Sequence, residues 1–133
     1  MPNKRTPPDR GLSMTWEAIV SGVKVFFTVE EYPNGTPCAL FIDIAPNTTI
    51  AEVESWANVF AISTSLALQY GCPVEKLVEH FVFTRFGSEG IVQGSADVKM
   101  ASSILDYVFR EIAVHYCGRL DLSHTRKPES DED

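Results

Sequence analysis

The 133-residue sequence carries a formal net charge of −7 and is 44% hydrophobic, a balance that predicts one globular domain with a buried core. The acidic charge excludes the basic footprint of non-specific nucleic-acid binding, and no apolar run reaches the roughly 18 residues of a membrane span. Residues 1–10 contain no signal-peptide h-region, so we expect a cytoplasmic protein whose partners are neither nucleic acid nor membrane.

The first third of the chain predicts an extended arm followed by a small antiparallel sheet. Residues 1–11 are rich in proline and charge, which favours an extended arm ahead of a single domain at 12–118. Alternating apolar residues then predict three strands, near 14–20, 23–29 and 38–44. Glycine-containing turns separate them, so the prediction is a three-stranded antiparallel β-meander with one apolar face.

Two consecutive helices are predicted after the sheet. Thr49 and Glu52 form a capping-box pattern at the start of the first helix, and Gly71 suits the left-handed position at its end. Pro73 then begins the second helix, because a proline loses no hydrogen bond there. The helical period places Trp56 on the inner face of the first helix, so we expect it to be buried between helix and sheet.

A third helix is predicted from Ser95 to about Cys117, after a glycine-rich loop at 87–94. Its apolar residues cover more than one face and include Leu105 and Phe109. Either this helix is central in the domain, or its second face meets a partner. The predicted fold class is α+β, a three-stranded antiparallel β-meander followed by about three helices packed on one face.

Two further surfaces are candidates for protein contacts. Phe26 and Phe41 lie opposite the inward-facing sets of their strands and would dock a second copy or another chain, unless the N-terminal arm covers them. The run Thr84-Arg85-Phe86 follows the second helix, where the arginine would reach either a partner carboxylate or local helix carbonyls. Residues 119–133 turn polar and then acidic, which predicts a disordered tail.

The sequence contains no pattern that marks a catalytic, cofactor or metal site. His80 lies off the apolar stripe of the second helix and is expected in solvent. Glu111, His115 and Cys117 carry metal-ligating atoms, but their spacing matches no familiar site and positions 115 and 117 diverge on a helix. A serine–histidine–aspartate triad stays open, because its members can be distant in sequence, although no nucleophile elbow supports one.

The run from Ser65 to Phe86 resembles the TSCPD domain of adenosylcobalamin-dependent (class II) ribonucleotide reductases, in its helix, Gly-Cys-Pro break, second helix and Thr-Arg-Phe end. In that family the domain is a C-terminal accessory region. Further segments resemble the domain's start, hairpin and last helix, so that the resemblance spans about residues 9–117: Asp9-Arg10-Gly11-Leu12, Tyr32-Pro33-Asn34-Gly35 with Leu40-Phe41-Ile42, and Ser103 to Arg110.

Departures from the family limit what the resemblance implies. The barrel that carries the family's active-site cysteines, radical chemistry and cobalamin site has no counterpart in this sequence. The chain ends in acidic residues instead of a cysteine-rich tail, and the Thr-Ser-Cys-Pro-Asp string is absent. No catalytic or cofactor residue is therefore carried over, and cobalamin is implied only through a separate catalytic chain.

Three functions are compatible with these observations. The first is a stand-alone, non-catalytic accessory or regulatory subunit that docks on the catalytic chain of a class II reductase in deoxyribonucleotide synthesis, with a homo-oligomer as a further expectation. The second is a stand-alone binding module, of mobile-element origin, for a different protein or a nucleotide. The third, an independent enzyme, has the least support, because the sequence encodes no reactive constellation.

Overall fold

The computed structural model describes residues 4–46, 51–85 and 89–126. It confirms the α+β class, with these elements in chain order: β1 (Ser13–Val20), β2 (Val23–Glu31), β3 (Pro37–Ile44), α1 (Ala51–Gln69), α2 (Val74–Phe81), β4 (Gly90–Gln93), β5 (Met100–Ala101) and α3 (Ile104–Tyr116), then a 3₁₀ turn at Leu120–Leu122. Within the described ranges, no helix combines the length and apolar character needed to cross a membrane.

The first three strands form the predicted meander. Ser21 and Gly22 join β1 to β2 with φ of 49° and 84°, the pair of left-handed residues that a type I′ turn requires. Val20 therefore lies opposite Val23, and β3 returns antiparallel to β2. One face of the meander is buried, as the alternation predicts, by this set: Ala18, Val20, Val23, Val25, Phe27, Val29, Leu40, Ile42 and Ile44.

The sheet has five strands in the described part of the chain, not three, in the order β3-β2-β1-β4-β5. Val92 of β4 lies opposite Val20 of β1, and Met100 of β5 lies opposite Ile91 of β4. The expectation of a loop at 87–94 is therefore wrong over β4. Strands of four and two residues are too short to show a period of two, and the nearby glycines indicate a loop instead.

Helix α3 begins at Ile104, well after the predicted start at Ser95. The hydroxyl of Ser103 accepts the Asp106 N–H at 3.0 Å and caps the helix. Ser95 stands before β5 instead, where its hydroxyl accepts the Val98 N–H and donates to the Glu111 carboxylate at 2.5 Å. A serine followed three residues later by an acid is typical of a helix start, so the pattern at 103–106 marks the true beginning of α3.

Helix α3 is the central helix of the fold, which explains its broad apolar surface. One side contacts the sheet, where the Tyr107 ring meets Phe27 edge-on with centroids 5.7 Å apart. Another side contacts α2, where the rings of Phe109 and Phe81 lie 5.3 Å apart. Every residue from Leu105 to Val114 is buried.

Helix α1 lies along β3, an edge strand of the sheet. The Ser65 hydroxyl accepts the Leu40 N–H at 2.8 Å and lies 3.0 Å from the Leu40 carbonyl oxygen, while the Gln69 amide donates to the Cys38 carbonyl at 3.2 Å. The helix therefore covers an edge that would otherwise expose unpaired backbone groups. The expectation that Trp56 is buried is wrong, because its exposed fraction is 66%.

Both flanking segments pack on the domain as far as they are described. The Arg5 N–H donates to the Gln69 carbonyl at 2.7 Å, and the Arg5 guanidinium lies 3.8 Å from the centre of the Tyr32 ring. At the other end, Leu122 is buried and Arg126 binds Asp97. The prediction of a disordered tail from residue 119 is therefore wrong for 119–126, and its remainder at 127–133 lies outside the described residues.

Candidate functional site

An apolar groove of about 620 Å³ opens between α1, α2, the start of α3 and the inner face of β3. Its floor combines alternate residues of β3 with residues three and four apart on α1, since both periods place side chains on one side. The groove is lined by Ile42, Ile44, Val53, Trp56, Ala57, Phe60, His80, Phe81, Thr84, Ile104 and Leu105.

Aromatic side chains shape the groove. Phe60 of α1 meets Phe81 of α2 edge-on with ring centroids 5.1 Å apart, and both rings also contact Phe109 beneath them. Trp56 also lines the groove, with two thirds of its surface exposed. Such an arrangement presents apolar surface to an apolar ligand or peptide side chain, because the partly buried rings of Phe60 and Phe81 rest on the buried Phe109 while the indole stays accessible.

The Asp106 carboxylate holds the segment that follows α2, which forms one wall of the groove. Asp106 Oδ1 accepts the Phe83 N–H at 2.6 Å, and Oδ2 accepts the Ser102 N–H at 2.8 Å. The Nε of Arg110 lies 3.1 Å from both carboxylate oxygens. Although both residues are charged, Asp106 is fully buried and Arg110 nearly so.

Phe83 adopts a left-handed backbone conformation with φ of 66°, which is uncommon for an aromatic residue. The hydrogen bond to Asp106 and the Arg110 guanidinium, 4.7 Å from the ring centre, hold it there. The next residue, Thr84, donates its hydroxyl to the Phe81 carbonyl at 2.6 Å and so lies at the groove. A strained residue thus sets the direction of the chain as it leaves α2.

The structure brings Thr84 and Leu105 together at the groove, where Trp56 and His80 also lie. Arg85 is exposed and lies 3.9 Å from Glu89, and Phe86 is outside the described residues. The expectation of a surface at Leu105 and Phe109 is corrected: Phe109 is fully buried, and Leu105 is 9% exposed at the groove floor.

Phe26 and Phe41 lie on the outer face of the sheet, as predicted. Phe41 is opposite Thr28, two positions along β2 from Phe26, so the two rings are diagonal neighbours on adjacent strands. Phe41 is 48% exposed, whereas Phe26 is half-buried beside the Lys24 ammonium, 5.4 Å from its ring centre. Their role in docking stays a prediction.

A polar cluster of two buried carboxylates and an exposed histidine joins α3 to the C-terminal segment. His115 Nε2 lies 3.5 Å from one oxygen of Asp97 and one of Glu111, a set of atoms that could ligate a metal ion. The Arg126 guanidinium already binds both oxygens of Asp97, at 2.6 and 2.9 Å. These hydrogen bonds hold the pKa of the Asp97 carboxyl below its usual value. We therefore interpret the cluster as a structural network.

Sequence reasoning missed Asp97 in this cluster and considered Cys117 in its place. Burial raises the pKa of Glu111, while the hydrogen bond from Ser95 partly offsets that rise. Asp97 was hard to identify from the sequence, because its partner Arg126 follows 29 residues later, in a segment predicted to be disordered.

The model of the TSCPD domain family matches residues 3–116. The chain is 45% identical over 133 residues to the vitamin B12-dependent ribonucleotide reductase of Bradyrhizobium diazoefficiens, an alignment that covers all of this chain and 10% of that protein. It is 47% identical over 117 residues to the enzyme of the same name from Agrobacterium fabrum, covering 88% of this chain and 9% of that one.

A more distant reductase of this kind, from Rhodopirellula baltica, is 31% identical over 123 residues, which make up 92% of this chain and 11% of the relative. No solved structure matches. The chain thus spans about a tenth of the length of each of these three relatives. Since the family match covers nearly the whole described fold, the chain belongs to the TSCPD domain family.

Proposed function

We propose that this chain is a non-catalytic accessory domain for a vitamin B12-dependent ribonucleotide reductase and acts in deoxyribonucleotide synthesis by docking on the catalytic region. The observation that carries the proposal is the apolar groove with Trp56 at its rim. Exposed tryptophans beside apolar pockets are typical of protein-binding anchors. The relatives support the choice of partner, because each is a reductase in which the matching region is a small part.

The groove lining argues against a nucleotide as the ligand. Its described polar groups are those of His80, Thr84 and the Trp56 indole N–H, and the described lining includes no lysine or arginine that could pair with a phosphate. A buried apolar side chain of a partner needs no such charge. A protein segment is therefore the better occupant, and the domain's location would be that of the reductase, which we place in the cytoplasm.

Cobalamin does not fit this groove. The corrin ring carries amide side chains around its edge, which require hydrogen-bond partners when they are buried. The described lining provides only three polar side-chain groups, the His80 ring, the Thr84 hydroxyl and the Trp56 indole N–H. The cofactor named in the relatives would therefore be held by the catalytic region, and this domain would contribute a protein contact.

Affinity capture tests the proposal. The tagged chain is mixed with a catalytic region of a B12-dependent reductase from which the TSCPD region has been removed, and a second capture uses lysate of the native cell. We expect the reductase to be retained in both. Replacing the exposed Trp56 by serine should abolish capture, whereas the same change at Ile91, on the distant strand β4, should leave it intact.

Two results would overturn this function. Capture of an unrelated protein, with no reductase retained, would favour the alternative binding module. Turnover of a ribonucleotide by the purified chain alone would show an enzyme. If Ile91→Ser abolished capture of the reductase and Trp56→Ser left it unchanged, the contact would lie away from the groove.

A further inference from the structure

The segment that follows α3 folds back on the domain largely through polar contacts. We call residues 119–126 the C-terminal latch. Its Leu122 side chain is buried, and the carbonyl of the same residue accepts a hydrogen bond from the Arg110 guanidinium at 3.1 Å. The backbone N–H of His124 donates to the Asp97 carbonyl at 2.7 Å. A short segment held mostly by hydrogen bonds opens more easily than the core, so the loss of one polar contact can release it.

The ring of His124 is held between two hydrogen-bond donors. Its Nδ1 accepts the backbone N–H of Lys99 at 2.9 Å, and its Nε2 lies 3.5 Å from Nη1 of Arg110. A neutral imidazole has one nitrogen that can accept, so the bond from Lys99 selects the tautomer with its proton on Nε2. An imidazolium would turn an N–H toward the Lys99 N–H and would place a positive charge beside the guanidinium. The docked position therefore suits the neutral ring and opposes the charged one.

Arg110 is held in place and so gives a charged His124 little relief. Its Nε lies 3.1 Å from both oxygens of Asp106, and its guanidinium lies 4.7 Å from the centre of the Phe83 ring. The Asp106 carboxylate also accepts two backbone N–H groups, so it is already engaged on both oxygens. His124, in contrast, is exposed on its other side, which lets a proton reach the ring from solvent. The latch is therefore the part that yields.

The other charges around His124 do not offset this effect. On the connection between β4 and β5, the Lys99 ammonium donates to a backbone carbonyl at 2.6 Å, and Asp97 binds the Arg126 guanidinium with both oxygens. Asp121 pairs with an arginine inside the latch at 2.9 Å. Each of these carboxylates already has a cationic partner, so pairing with an imidazolium would have to disrupt an existing ion pair.

We propose that the C-terminal latch is a pH-sensitive contact, which is docked while His124 is neutral and released when its ring takes up a proton. A released ring has the ordinary histidine pKa of about 6.5. Partial burial, followed by the Arg110 charge, lowers the pKa of the docked ring, against an opposite effect of Asp106. Because the released ring binds the proton more tightly, docking is strongest above about pH 6.5 and weakens as the pH falls toward the pKa of the docked ring.

The latch does not depend on the proposed function, because its residues and the described groove lining are different. Failure of the chain to bind a reductase would leave the latch unaffected. A latch that stays docked at every pH would equally leave the docking proposal unaffected.

Amide hydrogen exchange of the whole chain, followed by NMR, tests the latch. Protection factors, which correct for the intrinsic effect of pH on exchange, are compared at pH 7.5 and 5.5. The amides of Lys99 and His124 report on docking, since their hydrogen bonds join the latch to the domain. We expect both protection factors to fall at least about threefold at the lower pH, while that of Ile112, inside α3, does not fall. The ring signals of His124 should titrate with the same midpoint as the loss of Lys99 protection.

Three variants identify the group that titrates. His124→Asn keeps an acceptor near the position of Nδ1 and cannot take up a proton in this range, so Lys99 protection should become independent of pH. His124→Lys places a fixed positive charge beside Arg110 and should lower Lys99 protection already at pH 7.5. His115→Gln is the matched control, because His115 lies beside Asp97 on the opposite side from the Lys99 contact, and should keep the wild-type pH dependence.

Three results would overturn the proposal. The first is equal protection of the latch amides at both pH values in the wild-type chain. The second is a pH dependence that survives His124→Asn, or one that His115→Gln removes. The third is a His124 ring that titrates while Lys99 protection stays constant, because the ring would then take up its proton in the docked state.

Discussion

The carboxylate of Asp106 accepts a hydrogen bond from the backbone N–H of Phe83 at 2.6 Å, across 23 residues of sequence. The same carboxylate lies against the Arg110 guanidinium and accepts the N–H of Ser102. One buried acid thereby fixes the exit of α2 and the start of α3. Since Thr84 follows Phe83 into the groove, the shape of the groove depends on this contact.

Removing the charge of Asp106 should destabilise the fold. Asp106→Asn leaves Arg110 without its ion-pair partner in a buried setting and weakens two backbone hydrogen bonds, so we expect a loss of about 3 kcal/mol in the free energy of unfolding. Urea denaturation followed by circular dichroism measures it. Glu79→Gln, at an exposed position on α2, is the control. A loss for Asp106→Asn no larger than the control's would contradict the role given to this residue.

Replacing Trp56 should have little effect on stability. Its side chain is largely exposed, so Trp56→Ala should lower the free energy of unfolding by less than about 1 kcal/mol. Phe109→Ala, at a fully buried ring of the same region, should cost about 3–5 kcal/mol. Thermal and urea unfolding of both variants check the contrast. Equal losses would show that the indole packs against the core after all.

Cys117 should react slowly with alkylating reagents in the folded chain. Burial raises the pKa of its thiol to about 11, and the nearby Glu75 carboxylate adds to the rise. At pH 8 the reactive thiolate is then on the order of a thousandth of the population, so labelling by iodoacetamide should accelerate steeply up to pH 11. Peptide mass spectrometry measures the rate, with the chain in urea as reference. A folded chain that labels at pH 8 as fast as the unfolded one would refute this.

Glu111 should make stability fall as pH rises. Burial raises its folded pKa, so the unfolded carboxyl, with a pKa of about 4.3, ionises first, and stability is lost from about pH 4 upward through the folded pKa. Glu111→Gln removes this ionisation and keeps an acceptor for the Ser95 hydroxyl. The variant should therefore gain stability relative to wild type between pH 4 and 7, in urea titrations at each pH. A difference in the free energy of unfolding between variant and wild type that stays constant from pH 4 to 7 would contradict this prediction.

Local patterns predicted the meander well. The alternation from Val23 to Val29 and the turn at Ser21-Gly22 are decided within a few residues, and the structure confirms both. The end of α1 at Gly71, where φ is 99°, is equally local. The family resemblance, which rests on the run through this turn, is confirmed by the match to residues 3–116.

The errors have physical causes. Helix α1 is apolar on both sides, so its periodicity could not decide whether Trp56 faces the core. The burial of Asp106 could not be predicted from the periodicity of α3, because its partners Phe83 and Ser102 lie outside that helix. The groove itself joins residues from Ile42 to Leu105, and no local pattern shows that they meet.

The most direct test of the docking proposal is a calorimetric titration of the chain into the catalytic region of a B12-dependent reductase that lacks its own TSCPD region. We expect saturable binding with a dissociation constant in the micromolar range or below. Trp56→Ser should weaken it at least 30-fold, because it removes the aromatic anchor, and Phe41→Ser on the outer sheet face should not. No heat of binding for the wild-type chain, or loss of binding with Phe41→Ser alone, would contradict docking through the groove.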